Sequence, residues 1–502
     1  MKMLVLSVVL ICFPNIANAA LNSEDQAKVQ ALITKFETLF NNSQAETGGQ
    51  TYFYKRNIYG ADKRCLTTAD YSILTNAERQ ICKLDALDMY QRAPAMDALI
   101  DMYLIVKKLE ETGGFTITIP SSHYIHHAIN MANTYFKSYE NYKATHFEYS
   151  EFKEWQGQPS IAQGKDFNYE LRSASGIARL LLVAATGDVP ESAYLQSYSL
   201  VKQVYHHVWR KWTESNFTNI KNIDALGTDI FARSGLVALS LAAWSDSEKY
   251  GITNGLGLPK HEFIQYLENK LPNMLRQPTN EDYYLIFVRM NATTNYCKRD
   301  GWCDGAFTGE QVEHPGSIYD IGHARDIILL STLLEHRFST LENYSYLNIN
   351  NDVSTHRLFQ TLKNDVWEGG IQFRDWPVVR NVNHIREFNL STETCHPDMN
   401  GYPCNMNFTN ENFADWMKSE DLGSYQGAWA KLAKYDANLR QAYFNMIESG
   451  GVYCFGSQEL RYGKATSFGS TSYKSSRCNK NTVLSQVQLV SSLLSAYINR
   501  VD

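Results

Sequence analysis

Apolar positions recur at intervals of three and four along most of this chain, the spacing of amphipathic helices. About twelve helices follow from that pattern. They are Glu24–Phe40, Ala93–Thr112, Ser121–Tyr139, Tyr169–Thr186, Glu191–Thr213, Thr228–Trp244, Lys260–Leu275, Ser317–His336, Thr355–Asn364, Asp421–Ala433, Ala437–Ser449 and Thr482–Asn499. Pro94 reads as a first-turn residue, where the missing N–H is tolerated, and Gly113-Gly114 as a C-cap. Pro190 and Pro315-Gly316 mark two further entrances. GGIQFRDW (Gly369–Trp376) and GGVYCF (Gly450–Phe455) read as short hairpin strands.

The helices differ in kind. Every second one is rich in Ala, Gly and Ser: RSASGIARLLLVAATGD (Arg172–Asp188), RSGLVALSLAAWSD (Arg233–Asp246), DIGHARDIILLSTLLE (Asp320–Glu335) and DLGSYQGAWAKLAKY (Asp421–Tyr435). Such helices can pack closely on several sides. The others, such as SHYIHHAINMANTYF and SAYLQSYSLVKQVYHHVWRKW, carry one polar face. This alternation predicts two concentric layers. The fold class expected is all-α, an (α/α)6 toroid of helical hairpins with short β-hairpin insertions. An α-solenoid that does not close fits the same alternation. Ser175-Gly176-Ile177 and Ser234-Gly235-Leu236 align as a faint repeat, and Gly322-His323-Ala324 follows more loosely. Asn291–Ser317 and Trp367–Asp421 have no helical period, and long insertions of that kind are usually functional. No Pro/Gly/Ser linker divides the chain, so residues 20–502 read as one domain.

The first residues change the compartment. Lys2, the apolar run Met3–Phe13 and Ala17-Asn18-Ala19 have the form of a signal peptide covering residues 1–19. No later run is long and apolar enough for a membrane helix. Export, to the periplasm or beyond, is therefore expected. The cysteines agree: after Cys12, eight remain in four sequence-adjacent pairs, Cys65–Cys82, Cys297–Cys303, Cys395–Cys404 and Cys454–Cys478. Disulfides between these neighbours are expected on proximity, one choice among 105 connectivities. A net charge of −6 argues against nucleic acid or an anionic membrane as partner. The 31 Tyr and 9 Trp suit either a large core or a cleft in which rings stack on sugars. No metal and no cofactor is expected: the chain has neither C-x-x-C nor H-E-x-x-H, and no phosphate loop.

In a two-layer ring the inner helices run parallel and their positively polarised N-termini meet on one face. The segments leading into them are the place for chemistry. The richest is Glu313-His314-Pro315-Gly316-Ser317-Ile318-Tyr319-Asp320, followed by His323 and Arg325. Tyr319 and His323, four apart on one helix face, can divide proton removal and donation. Arg325, Arg233 and Arg172 can hold a carboxylate. Alternatively two carboxylates flank the bond to be hydrolysed, with Asp229, Glu313, Asp421 and Glu170 as candidates. Each of these acids can equally be a helix cap. His314, Trp302, Trp376, Trp416, Tyr425 and Trp429 are candidate substrate-binding groups. His126-His127 and His206-His207 fall on outer helices and read as surface or packing residues.

With these features the chain resembles the (α/α)6-toroid carbohydrate-active enzymes: inverting glycosidases, unsaturated glucuronyl hydrolases, and alginate- or heparinase-type polysaccharide lyases. The resemblance is one of architecture and spans most of the chain after the signal. The Asn-x-His-Ser-Tyr run of some alginate lyases is absent. The resemblance implies an exported enzyme that cleaves a polysaccharide or oligosaccharide, by hydrolysis or by β-elimination at a uronate. A non-catalytic exported binding or host-interaction protein on the same scaffold is the alternative, and a fold alone does not choose between them. Oligomeric state has no signature in the sequence.

Overall fold

The computed structural model describes residues 21–45, 76–140, 166–214, 228–247, 249–251, 256–270, 280–284, 287–288, 317–318, 324–335, 354–370, 372–374, 418–419, 427–449 and 482–501, with Leu275 and Gln277. These residues are mostly helical. In chain order the helices are α1 (Ser23–Ala45), α2 (Asn76–Thr112), α3 (Ser121–Glu140), α4 (Asp166–Thr186), α5 (Glu191–Gln203), α6 (Lys211–Glu214), α7 (Thr228–Ser245), α8 (Lys260–Lys270), α9 (Arg325–Leu333), α10 (Thr355–Thr361), α11 (Ala437–Ser449) and α12 (Thr482–Ile498). A π-helical stretch, Val204–Arg210, joins α5 to α6, and a second, Leu362–Val366, extends α10. Gly427–Tyr435 is a 3-10 helix.

Small side chains set which helices approach one another. A Cβ on Gly427 would sit 2.9 Å from the backbone nitrogen of Leu489, and one on Gly235 would sit 3.1 Å from Leu330 Cδ2. The alanine- and serine-rich helices accordingly contact each other in succession. α2 packs on α4, α4 on α7, α7 on α9, α9 on the 3-10 helix, that helix on α12, and α12 on α2. The amphipathic helices flank them: α3 lies against α2, α5 against α4, α8 against α7, α10 against α9, and α11 against both the 3-10 helix and α12. α1 packs on α12. One contiguous apolar cluster runs from Val29 of α1 to Ile498 of α12.

Several expectations are corrected. The second helix begins at Asn76, not Ala93, so Pro94 is interior and Asp85, Asp88, Tyr90 and Arg92 lie within α2. Pro94 sits in that interior position between buried Ala93, Ala95 and Met96. The eighth helix does not begin at Ser317. Ser317–Ile318 (β2) pairs antiparallel with Phe287–Val288 (β1), and the helix starts at Arg325. The segment expected as a helix from Asp421 is described from Gly427, as 3-10 turns. The hairpin at Gly369-Gly370 is present: Trp367–Gly369 (β3) pairs with Gln372–Arg374 (β4), which pairs with Lys418–Ser419 (β5). Gly369 and Gly370 both have positive φ, 104° and 52°, as that tight turn requires. No helix among the described residues is long and apolar enough to cross a membrane.

Candidate functional site

Charged side chains cluster where the small-residue helices meet. Asp97 and Asp101 stand one turn apart on α2, within the otherwise apolar run Ala95–Ile105. Arg172 and Arg179 are two turns apart on one face of α4. Arg233 comes from α7, Arg325 and Asp326 from α9, Lys431 from the 3-10 helix, and Gln488 and Ser491 from α12. Each of these six elements supplies at least one member, and every member is buried.

The contacts form a continuous network. Arg179 bridges the two acids of α2, with Nη1 2.6 Å from Asp97 Oδ1 and Nη2 2.9 Å from Asp101 Oδ1. Lys431 Nζ lies 2.5 Å from Asp101 Oδ2, and Ser491 Oγ lies 3.5 Å from the same oxygen. Gln488 Nε2 donates to Asp97 Oδ2 at 3.2 Å. Arg325 Nη2 links two acids, 3.6 Å from Asp97 Oδ2 and 2.8 Å from Asp326 Oδ1. Arg233 Nε donates to Asp326 Oδ2 at 2.6 Å.

Among the described residues the network sets Arg172, Arg179, Arg233, Arg325 and Lys431 against Asp97, Asp101 and Asp326. Burial raises the Asp326 pKa, but Arg325, Arg233 and Arg172 outweigh it and hold that carboxyl well below the usual range. Burial likewise opposes Asp101, and Lys431 and Arg179 overcome it. Lys431 is pulled below its ordinary value, first by burial and then by Arg179, despite the attraction of Asp101. Among the described residues, two donors of Arg325, Nε and Nη1, are buried without a hydrogen-bond acceptor, an arrangement that costs free energy unless an anion or water meets them.

The candidates from the sequence fall into three groups. Arg172, Arg233 and Arg325 are brought together, fully buried, around Asp326. Glu170 is buried but faces away from them. Two residues along a helix turn the side chain by about 200°, so Glu170 meets α6 while Arg172 meets the network. Its carboxylate lies 2.6 Å from Lys211 Nζ and 2.7 Å from Trp212 Nε1. Trp429 is enclosed in the apolar core, its ring faces covered by protein rather than offered to a sugar. Asp229 lies in the first turn of α7, its side chain outside the described residues. Tyr319, His323, Glu313, Asp421, His314, Trp302, Trp376, Trp416 and Tyr425 also lie outside them, as do Cys65, Cys297, Cys303, Cys395, Cys404, Cys454 and Cys478. Cys82 falls within α2, its side chain likewise not described.

Sequence reasoning missed Asp97, Asp101, Arg179, Asp326, Lys431 and Gln488. Their signal is a charge or amide set inside an apolar helix, as in AMDALID, GIARLLL and WAKLA. Such residues are almost never fully buried unless paired. Among the described residues no group of three or more His, Cys, Asp or Glu could hold a metal ion. No family model, curated protein or solved structure matches this chain.

Proposed function

We propose that the protein is an exported carbohydrate-active enzyme on an (α/α)6 toroid, cleaving an acidic polysaccharide or oligosaccharide by β-elimination at a uronate or by hydrolysis. The observation that supports the reading is the buried network of arginine, lysine and aspartate to which six small-residue elements contribute, with two donors of Arg325 unmet among the described residues. A uronate carboxylate is the ligand such donors favour. Covalent geometry supports the same location for the chemistry. His323 is two residues from Arg325, so its Cα stands within about 7 Å of that residue's Cα, and Tyr319 lies four positions before His323 in sequence. Asp229 precedes Arg233 by one turn of α7. Closure of the toroid is supported by the packing of α12 on α2, which an open solenoid would not need. Export rests on the leader at residues 1–19 and on the paired cysteines.

In the lyase reading, Tyr319 and His323 remove and return the protons, and Arg325 with Arg233 lowers the pKa of the α-proton by neutralising the uronate. In the hydrolase reading, Glu313, Asp229 and Asp421 supply the acid and base. Glu170 contributes less to either, because its carboxylate already holds Lys211 and Trp212. The full burial of Arg172, Arg233 and Arg325 favours a second reading, a non-catalytic binding protein whose interior is filled by its own ion pairs.

The test is a panel of neutral and uronate-containing glycans, followed for new reducing ends and for the ultraviolet absorbance of unsaturated uronates. Activity on acidic glycans that is lost in Tyr319→Phe or His323→Ala supports the lyase. Activity lost only in the carboxylate variants supports the hydrolase. Binding without any product supports the second reading, and neither binding nor cleavage refutes both.

A further inference from the structure

The outer helix α3 carries a pair of imidazoles that the interior chemistry does not use. His123 and His127 are one turn apart, and their Nε2 atoms lie 3.0 Å from each other. The rings are tilted with centroids 4.4 Å apart. Phe40 of α1 presents its ring edge-on to both, at 5.9 Å from His123 and 5.1 Å from His127, and forms an apolar wall on one side. His123 is exposed and His127 half-buried, so the gap between the nitrogens is reached from solvent.

We propose that His123 and His127 form a binding site for a divalent transition-metal ion of the Cu2+ or Ni2+ type. The argument is one of span. Two imidazole nitrogens each about 2.0–2.1 Å from a shared ion stand about 2.9 Å apart at a right angle and about 3.4 Å apart at a tetrahedral angle. The observed 3.0 Å, set by a hydrogen bond between the rings, lies within the reach of one shared ion. Imidazole nitrogens suit Cu2+ and Ni2+, and Cu2+ stands highest in the affinity order of the divalent first-row metals. Without metal, the pair is held by one Nε2–H donating to the other Nε2. Metal entry needs a shift of that proton to Nδ1 through solvent. His126 does not join as a third ligand, since no group of three such residues converges among the described ones. Water completes the coordination. The ion would staple successive turns of α3 beside its contact with α1.

The experiment is titration of the full chain with Cu2+ at neutral pH, by calorimetry and electron paramagnetic resonance. One ion per chain is expected, with nitrogen hyperfine structure. The affinity should fall about tenfold or more in His123→Ala and in His127→Ala, and should hold in His126→Ala. Metal-free thermal unfolding checks that each variant folds, and His127→Gln replaces His127→Ala if the latter does not. Variants of His123 and His127 that bind as tightly as the parent, with an unchanged spectrum, would overturn the proposal. An equal loss in His126→Ala would overturn it as well.

Discussion

Replacing Asp326 by Asn tests whether the charged network holds the helices together. The substitution keeps the shape and one acceptor but removes the charge that Arg233 meets at 2.6 Å and Arg325 at 2.8 Å. Asp326 is fully buried, so solvent cannot replace it. Removing one partner of a buried ion pair costs about 3–5 kcal/mol, because the remaining cations stay desolvated. An unfolding entropy of about 2.1 cal/mol/K per residue gives about 1 kcal/mol/K for a chain of roughly 480 residues, so the loss reads as about 3–5 °C in Tm. The assay is calorimetric unfolding of the parent, Asp326→Asn, Arg233→Met and the double variant. Groups in one network couple by about 0.5–3 kcal/mol, so the double variant should lose less than the sum of the singles. An Asp326→Asn Tm within about 1 °C of the parent, or strict additivity, would falsify the network as a source of stability.

The same carboxylates set the acid response. Asp101 and Asp326 titrate lower in the folded protein than in the unfolded chain. Their contribution is complete above the unfolded carboxylate pKa of about 4 and is lost as pH falls through the folded values; the fall in Tm below that pH should be shallower in Asp326→Asn. Glu170→Gln removes the charge that meets the buried Lys211 Nζ at 2.6 Å, with an expected loss of about 3–5 kcal/mol. Any glycan-cleaving rate per folded molecule should be unchanged, and a selective loss of rate at parental stability would make Glu170 catalytic after all. Gly427→Ala drives a Cβ onto the backbone of α12 and should cost about 1–3 kcal/mol, whereas Gly235→Ala meets only the tip of Leu330 and should cost less; equal urea midpoints would contradict the close approach. Glu37 accepts from the N–H groups of Thr118 and Ile119 at 2.9 and 3.0 Å and from the Thr118 hydroxyl at 2.6 Å. Glu37→Gln should speed hydrogen exchange at those two amides, by roughly tenfold if about 1.4 kcal/mol is lost.

Helix existence was legible because it follows from local periodicity. The small residues of Arg172–Asp188 and Arg233–Asp246 also told which helices are buried. Boundaries were less legible where local signals compete. Pro94 looked like a first-turn residue, so the part of α2 before Ala93 was not expected. The pairing of Ser317–Ile318 with Phe287–Val288 links segments separated in sequence, which no local pattern reports. The π-helical stretch Val204–Arg210 was invisible because the apolar period around it hardly changes. Three of the network's four arginines, Arg172, Arg233 and Arg325, stood out in the sequence as cations near helix entrances, and Arg179 did not. Nor did the partners of these arginines, since a single Asp or Lys in an apolar run looks like an interruption until an opposite charge from a distant helix is set beside it.

The reach of the network across the chain bears on synthesis. Gln488 and Asp97 are 391 positions apart, and Ser491 and Asp101 are 390 apart. A growing polypeptide therefore holds two aspartates destined for a dry interior long before their last partners have been made. Until α12 emerges, water is the better host for those acids, and the half-built core stays open to chaperones and proteases alike. A truncation near the C-terminus should be felt first not at that end but around residues 97–101.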